Sequence, residues 1–342
     1  MALWDSITLK TNLAAQVFNQ ATTTEIVPMA VKGNASLYYL FGETQMGEFV
    51  ASGLPRVKRH SEITGNNIQR TMLGSVAAPD YITSVSDELT AATITHDPDI
   101  TGTVEFALAH LGLTYPVPDS EYDRLRGKEQ HTVDWMTTLA KYLKEGYMKK
   151  LSEEFHEDST SAGPSISQFG SWVTTVDSNN TYLLLDRSVS DNADFRSYEN
   201  TAFGAFNYPD LMAQVINQGT TYNANVNVGI THPTIYNAVL NYANSMSLIT
   251  NPGDHVAFGA KTATIGGIKW ISDQNCPSDA IALLDSDWWE LWFNDTRPFA
   301  DPERFLITNP ATKASRIILT GIWTQNFCSK PANQLKFRGV TV

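Results

Sequence analysis

Residues Val228–Met246 read VGITHPTIYNAVLNYANSM and Thr262–Ser272 read TATIGGIKWIS. Cys276-Pro277 follows, then AIALLDSDWWELWF over Ala280–Phe293. The order is a strand, a His-Pro step, an amphipathic helix, a Gly-Gly strand and an acidic stop. In the helix, Ile235, Val239, Tyr242 and Met246 return in steps of three or four, which lines one face. Thr231 is the expected cap. Just upstream, Tyr222, Ala224, Val226, Val228 and Ile230 alternate with Asn223, Asn225 and Asn227. That period of two predicts a half-buried strand with one polar face. Pro209 fits the first turn of a helix over LMAQVINQ, with Gly219 as its stop. The stretch holds no nucleophile, metal cluster or phosphate loop, and reads as part of a surface-forming domain.

The totals set the class. At 342 residues the chain makes about two compact units on the scale of ~100–200 residues per domain. Hydrophobic residues at 42% and charged residues at 18% allow a real core and argue against global disorder. The net charge of −12 argues against a protein built to hold nucleic acid, which needs clustered Lys and Arg. Cys276 and Cys328 are far apart and outside any CxxC, so no disulfide framework is expected and a reducing compartment is. The start MALWDSITLK shows no signal-peptide pattern, and no run approaches the ~18 apolar residues of a membrane span.

The clearest helix lies further upstream. Asp119 and Ser120 offer caps, Ser120 with Asp123 has capping-box spacing, and Asp119, Glu121 and Asp123 crowd the positive end of the dipole. Apolar residues then recur from Tyr122 through Leu125, Val133, Met136, Leu143 and Leu151 to Phe155, predicting one long helix to about His156. It cannot be buried all round, because charged residues of both signs lie along it. Residues 54–73, LPRVKRHSEITGNNIQRTML, predict a hairpin turning at Gly65-Asn66-Asn67. Arg56, Lys58, Arg59 and Arg70 stand there against the single acid Glu62, a basic patch in an acidic chain. A second hairpin is predicted to fold back on Asp177-Ser178-Asn179-Asn180. RIILTGIWTQNF (Arg316–Phe327) and QLKFRGVTV (Gln334–Val342) predict terminal strands broken at Pro331, and the first forty residues predict an extended arm.

Catalytic patterns are missing from the sequence. No two of the seven His residues have zinc-helix spacing, and GxSxG is absent. Gly259-Ala260-Lys261-Thr262 lacks the GK[ST] step of a phosphate loop. Asp285-Ser286-Asp287 could hold a metal, but a turn between Leu284 and Trp288 explains it as well. The Trp288, Trp289, Trp292, Phe293 cluster fits packing better than a sugar or base platform.

Taken in order, the elements resemble the major capsid proteins of tailed bacteriophages, a fold shared with encapsulins and the floor of the herpesvirus capsid. VGITHPTIYNAVL resembles the family's strand, turn and helix; GGIKWISDQNCPSDAIALLDSD its next strand, loop and strand; and the terminal ILTGIWTQNFCSKPANQLKFRGVTV its last strand pair. The resemblance implies an α+β fold with an N-terminal arm (1–51), an extended β-hairpin loop (52–95) and a peripheral domain with a long spine helix (96–207). An axial domain with a central sheet flanked by helices (208–298) and return strands of the peripheral domain (299–342) complete it. Some members begin with a charged, helical scaffolding segment; here the arm starts almost at once, which a separate scaffolding protein or a trimmed chain would account for.

The resemblance also implies a function. The chain is expected to be a structural subunit, not an enzyme, that forms pentamers and hexamers and tiles an icosahedral shell around double-stranded DNA. The alternative is an encapsulin-type compartment. No cofactor, metal or membrane is expected. Partners would be copies of itself, with scaffolding, portal and decoration proteins, and the place of action the virion, assembled in the bacterial host cytoplasm. The residues expected at intersubunit contacts are Arg56, Lys58, Arg59 and Arg70 on the basic ribbon, facing Asp119, Glu121 and Asp123 of a neighbour's helix.

Overall fold

The computed structural model describes residues 35–37, 40, 41, 57–60, 68–73, 101–106, 108–118, 146, 149–157, 169–183, 185–246, 262–294, 303–305 and 314–342. A six-stranded mixed sheet is built around VGIT. Its strands are β7 (Tyr198–Asn200), β9 (Val228–Thr231), β10 (Thr262–Ile265), β11 (Ile268–Ser272), β12 (Ile281–Leu284) and β16 (Leu335–Phe337). Their order is β10-β11-β9-β12-β16-β7, with β9 parallel to β11 and antiparallel to β12. Alternation sends Val228, Ile230, Ile271, Ala282 and Leu284 to one face, against Leu37, Phe41, Phe155 and Trp172. Ile268, Trp270, Ile281, Leu283, Leu335 and Phe337 go to the other, under two helices. A fully buried Leu, Ile or Phe contributes about 1.5–3 kcal/mol, so a sheet covered on both faces is the energetic centre of the subunit.

Those helices are α2 (Tyr208–Tyr222) and α3 (Pro233–Ser245); α1 is the short helix at 149–155. α2 runs past Gly219, the expected stop, and ends at Asn223, whose φ of 54° supplies the left-handed cap. Because α2 continues to Tyr222, the Tyr222–Asn227 part of the expected strand is not strand, and β9 keeps four residues, all buried. The polar face is therefore a correction: the Asn residues precede the strand. α3 is capped by His232, whose Nδ1 accepts from Thr234 N at 3.3 Å, because Thr231 is the buried last residue of β9. Gly229 makes room on this face: a Cβ there would lie 2.9 Å from the Trp270 ring.

The expected Gly-Gly strand is a hairpin. Gly266 and Gly267 have φ of 61° and 84°, and Ile265 pairs with Ile268 across a two-residue turn that needs both residues left-handed.

A second sheet contains β1 (Val57–His60), β4 (Ala109–Pro118), β13 (Trp289–Asn294), β14 (Glu303–Phe305) and β15 (Ala314–Cys328). β15 carries β13 and β14 along one edge and β4 along the other. β2 (Ile68–Leu73) and β3 (Thr101–Phe106) form an antiparallel ribbon, and Leu73 N donates to Ser329 O at 2.8 Å. The hairpin expected within 54–73 is thus corrected. β1 runs parallel beside β13, and β2 turns to residues 101–106 for its partner. The apolar side chains explain the choice, since Ile68 and Met72 share a core with Val104, Phe106, Trp292 and Phe327.

The second expected hairpin is also moved. β5 (Thr181–Tyr182) pairs with β6 (Leu185–Asp186), turning after Leu183 at φ 46°. Asp177 instead closes a local turn, its carboxylate accepting from the backbone N–H groups of Asn179 and Asn180. β8 (Gly204–Ala205) and β17 (Val340–Thr341) pair in parallel near the C-terminus. The terminal strands are present as expected, separated by a 3-10 turn at Pro331–Asn333. Of the long helix, residues 146 and 149–155 are helical, ending at Phe155; residues 119–145 lie outside the described residues, as does most of the N-terminal arm.

Candidate functional site

β13 gathers the described part of the basic ribbon. Lys58 and Arg59 of β1 stand in register with Trp292 and Phe293. From the other ribbon strand, Arg70 donates through Nη2 to both carboxylate oxygens of Glu290, at 3.1 and 2.9 Å. Its guanidinium lies 4.7 Å from the centre of the Trp292 ring, and Trp292 Nε1 donates to Glu290 Oε2 at 3.0 Å. Arg70 is therefore engaged by its own subunit, where it ties the base of the ribbon to β13. The pair is partly exposed, so it contributes about 0–1 kcal/mol. Arg56, Asp119, Glu121 and Asp123 lie outside the described residues.

A buried polar cluster at Asp273 was invisible in sequence. Ser36 Oγ donates to Asp273 Oδ2 at 2.7 Å, and His156 Nε2 lies 3.1 Å from the same oxygen and 3.2 Å from Ser36 Oγ. Trp172 Nε1 donates to His156 Nδ1 at 2.7 Å. An indole can only donate, so the ring proton of His156 sits on Nε2 and points at Asp273. A nucleophilic triad needs serine and carboxylate on opposite ring nitrogens. Here both crowd Nε2 while Nδ1 is sealed by Trp172, so the cluster is a structural junction. It ties the helical turn Ala35–Leu37, the residue after α1, the turn at Trp172–Thr175 and the loop after β11. Burial alone would raise the Asp273 pKa, but hydrogen bonds from His156, Ser36 and the Asn275 N–H hold it down to about 2.

Two buried cations brace the same side. Lys336 of β16 reaches Val173 O at 2.9 Å, Asp177 Oδ2 at 3.0 Å and Glu199 Oε1 at 2.9 Å, which satisfies all three of its protons. Arg187 donates to the carbonyls of Thr174, Thr175 and Asn180, closing the end of the Trp172–Thr175 turn. Burial pulls its pKa down, against the neighbouring Asp177 charge.

Asp285 caps the 3-10 turn Ser286–Trp288 and accepts from Asn225 N, Asn333 Nδ2 and Asp287 N. Burial pushes its pKa up. Among the described residues, no three of His, Cys, Asp and Glu converge as metal ligands. The tryptophans divide between cores: Trp289 is fully buried beside Phe155, and Trp292 packs edge-on to Phe106. Both cysteine thiols are buried, and burial raises their pKa values.

No protein-family model matches the chain, and no curated protein matches it in sequence. Solved structures do match. The capsid asymmetric unit of cyanophage A-1(L) superposes with a TM-score of 0.53 at 13% identity, covering 84% of this chain and 91% of that one. The capsid of a native GTA particle gives 0.52 at 12% identity, covering 83% and 88%. The holo-SrpI encapsulin complex from Synechococcus elongatus gives 0.47 at 11% identity, covering 90% and 95%. The chain has the mixed α and β fold of phage major capsid proteins.

Proposed function

We propose that this chain is the structural subunit of a closed icosahedral shell, assembled as pentamers and hexamers around the double-stranded DNA of a tailed phage. The observation that carries the reading is the fold, which follows two solved capsid subunits over more than four fifths of both chains. The described interior supports it. The polar clusters at Asp273, Lys336 and Asp285 are spent on holding segments together, and none is arranged for catalysis. Net charge −12 suits a wall that packs beside DNA without gripping it. On this reading residues 1–51 are an arm, 208–298 form an axial unit, and 299–342 return to the peripheral one. Scaffolding, portal and decoration proteins are the partners such a shell would take in the host cytoplasm.

The test is electron microscopy of the purified protein, with its scaffold partner where one exists, together with the nucleic-acid content of the particles. Closed shells filled with duplex DNA in infected cells are the expected result. Shells around a protein cargo would favour the compartment alternative.

The ribbon carries the second part of the proposal. Lys58 and Arg59 work between subunits, against the acidic start of a neighbour's helix at Asp119, Glu121 and Asp123. Exposed pairs contribute only about 0–1 kcal/mol each, but a shell repeats the contact at every subunit. Lys58→Glu with Arg59→Glu should leave the thermal unfolding of the free subunit unchanged and lower shell yield. Unchanged yield and shell stability, or an unfolded subunit, would overturn the assignment.

A further inference from the structure

Lys336 stands directly across from Glu199 in the parallel register of β16 and β7. Its Nζ lies 2.9 Å from Glu199 Oε1 and 3.0 Å from Asp177 Oδ2, and its third bond goes to Val173 O. The lysine side chain is 4% exposed and those of Asp177 and Glu199 are 15% and 12% exposed, so bulk water is largely kept out. An amine held between two carboxyls in such a place is the reactant set for an amide. One carboxyl acylates the amine, and the other moves protons.

The two carboxyls differ. Asp177 Oδ1 accepts the backbone N–H groups of Asn179 and Asn180 at 2.8 and 3.0 Å. Two backbone donors on one carboxyl oxygen are what a developing oxyanion requires. Oδ2, the oxygen beside Nζ, also accepts from Asn180 Nδ2 at 3.0 Å. Glu199 is steadied through Oε2 by Ser178 N and Oγ, with Oε1 turned to the lysine.

We propose that Lys336 and Asp177 condense into an isopeptide bond within one subunit, with Glu199 relaying the protons. Burial alone would raise the Asp177 pKa, but the Asn179 and Asn180 N–H bonds and the Lys336 charge hold it down, so the pair starts ionised. Glu199 takes one proton from Nζ and passes it to Oδ2, leaving a neutral amine beside a neutral acid. The nitrogen lone pair attacks Cγ, and the Cγ–Oδ1 π electrons move onto Oδ1, facing the two N–H groups. A second proton passes from the nitrogen through Glu199 to the Oδ2 hydroxyl. The Cγ–Oδ2 bond then breaks, water leaves and the Oδ1 carbonyl re-forms. Glu199 ends as it began, and nothing is oxidised or reduced. The reaction runs once and needs no second copy of the chain. It joins residues 159 apart in sequence, tying the turn before β5 to β16 by a closure that restricts the unfolded chain.

Electrospray mass spectrometry of the denatured wild-type chain, with a proteolytic peptide map, reads the bond directly. The expected mass is that of the sequence less one water, with residues 177 and 336 in one branched peptide. Lys336→Arg keeps the charge but not the amine, and should have the full sequence mass. Glu199→Gln should link about 100-fold more slowly when the linked fraction is followed from synthesis. Glu199→Asp, which restores a carboxylate, should recover part of that rate. Folded wild-type chain that keeps the full sequence mass on long storage would overturn the proposal, and that result depends on no variant folding. A water lost elsewhere, or a link from Lys336 to Glu199, would overturn it too, with residues 177 and 336 then in separate peptides. Glu199→Gln that links at the wild-type rate would overturn the relay.

Discussion

The six-stranded sheet and the β2–β3 ribbon are both made of extended chain, but their surroundings differ. The sheet is covered on both faces by its own subunit: α2 and α3 on one, Phe41, Phe155 and Trp172 on the other. The ribbon buries Ile68, Met72, Val104 and Phe106 and leaves Thr71 exposed. A sheet closed on both faces stabilises the subunit whether or not neighbours are present. The ribbon rests on the one core it shares with Trp292 and Phe327. The difference sets how much each region contributes to holding the subunit together.

The largest effect that would break this contrast lies in the sheet. Trp270 is fully buried over Gly229 and beside Tyr208. Trp270→Ala should cost about 3–5 kcal/mol in denaturant unfolding of the free subunit. A cost under about 1 kcal/mol would mean that the sheet is not the stabilising centre.

An intermediate effect belongs to the junction at the sheet's edge. The Asp273 pKa is depressed to about 2 in the folded chain, below its unfolded value near 3.8. A depressed carboxylate stabilises the fold at pH above the unfolded value, and that contribution is lost as pH falls through the folded one. Stability should therefore fall between about pH 4 and pH 2, and Asp273→Asn should flatten that part of the profile. An unchanged acid limb in the variant would contradict the assignment.

The smallest effect sharpens the other side of the comparison. Arg70 and Glu290 are partly exposed, and Arg70→Ala should change subunit stability by no more than about 1 kcal/mol. A loss of several kcal/mol would show the ribbon base to be as central as the sheet.

Sequence patterns revealed these regions unequally. α3 was legible because a helix of period 3.6 stands in HPTIYNAVL; a strand at VGIT was legible too, but the alternating Asn residues before it made it read as longer and half-buried. The Gly266-Gly267 turn was legible in principle, as two glycines between apolar runs, but the stretch reads equally as one strand. The partner of β2 could not be read, because residues 101–106 are distant in sequence and no local signal marks the pairing. Distance also hid the junction: His156 meets Ser36 and Asp273 across separations of 120 and 117 residues. Lys336 carried a signal that was missed. With Leu335 and Phe337 facing the helices, alternation forces the residue between them to the opposite buried face, where a lysine needs carboxylates.

Native mass spectrometry of the purified protein under assembly conditions tests the central claim most directly. The subunit mass is 37.8 kDa, and a shell-forming protein should give discrete species at five and six times that mass, with larger closed particles above them. A single species at 37.8 kDa under every condition tried, with or without scaffold, would contradict the account.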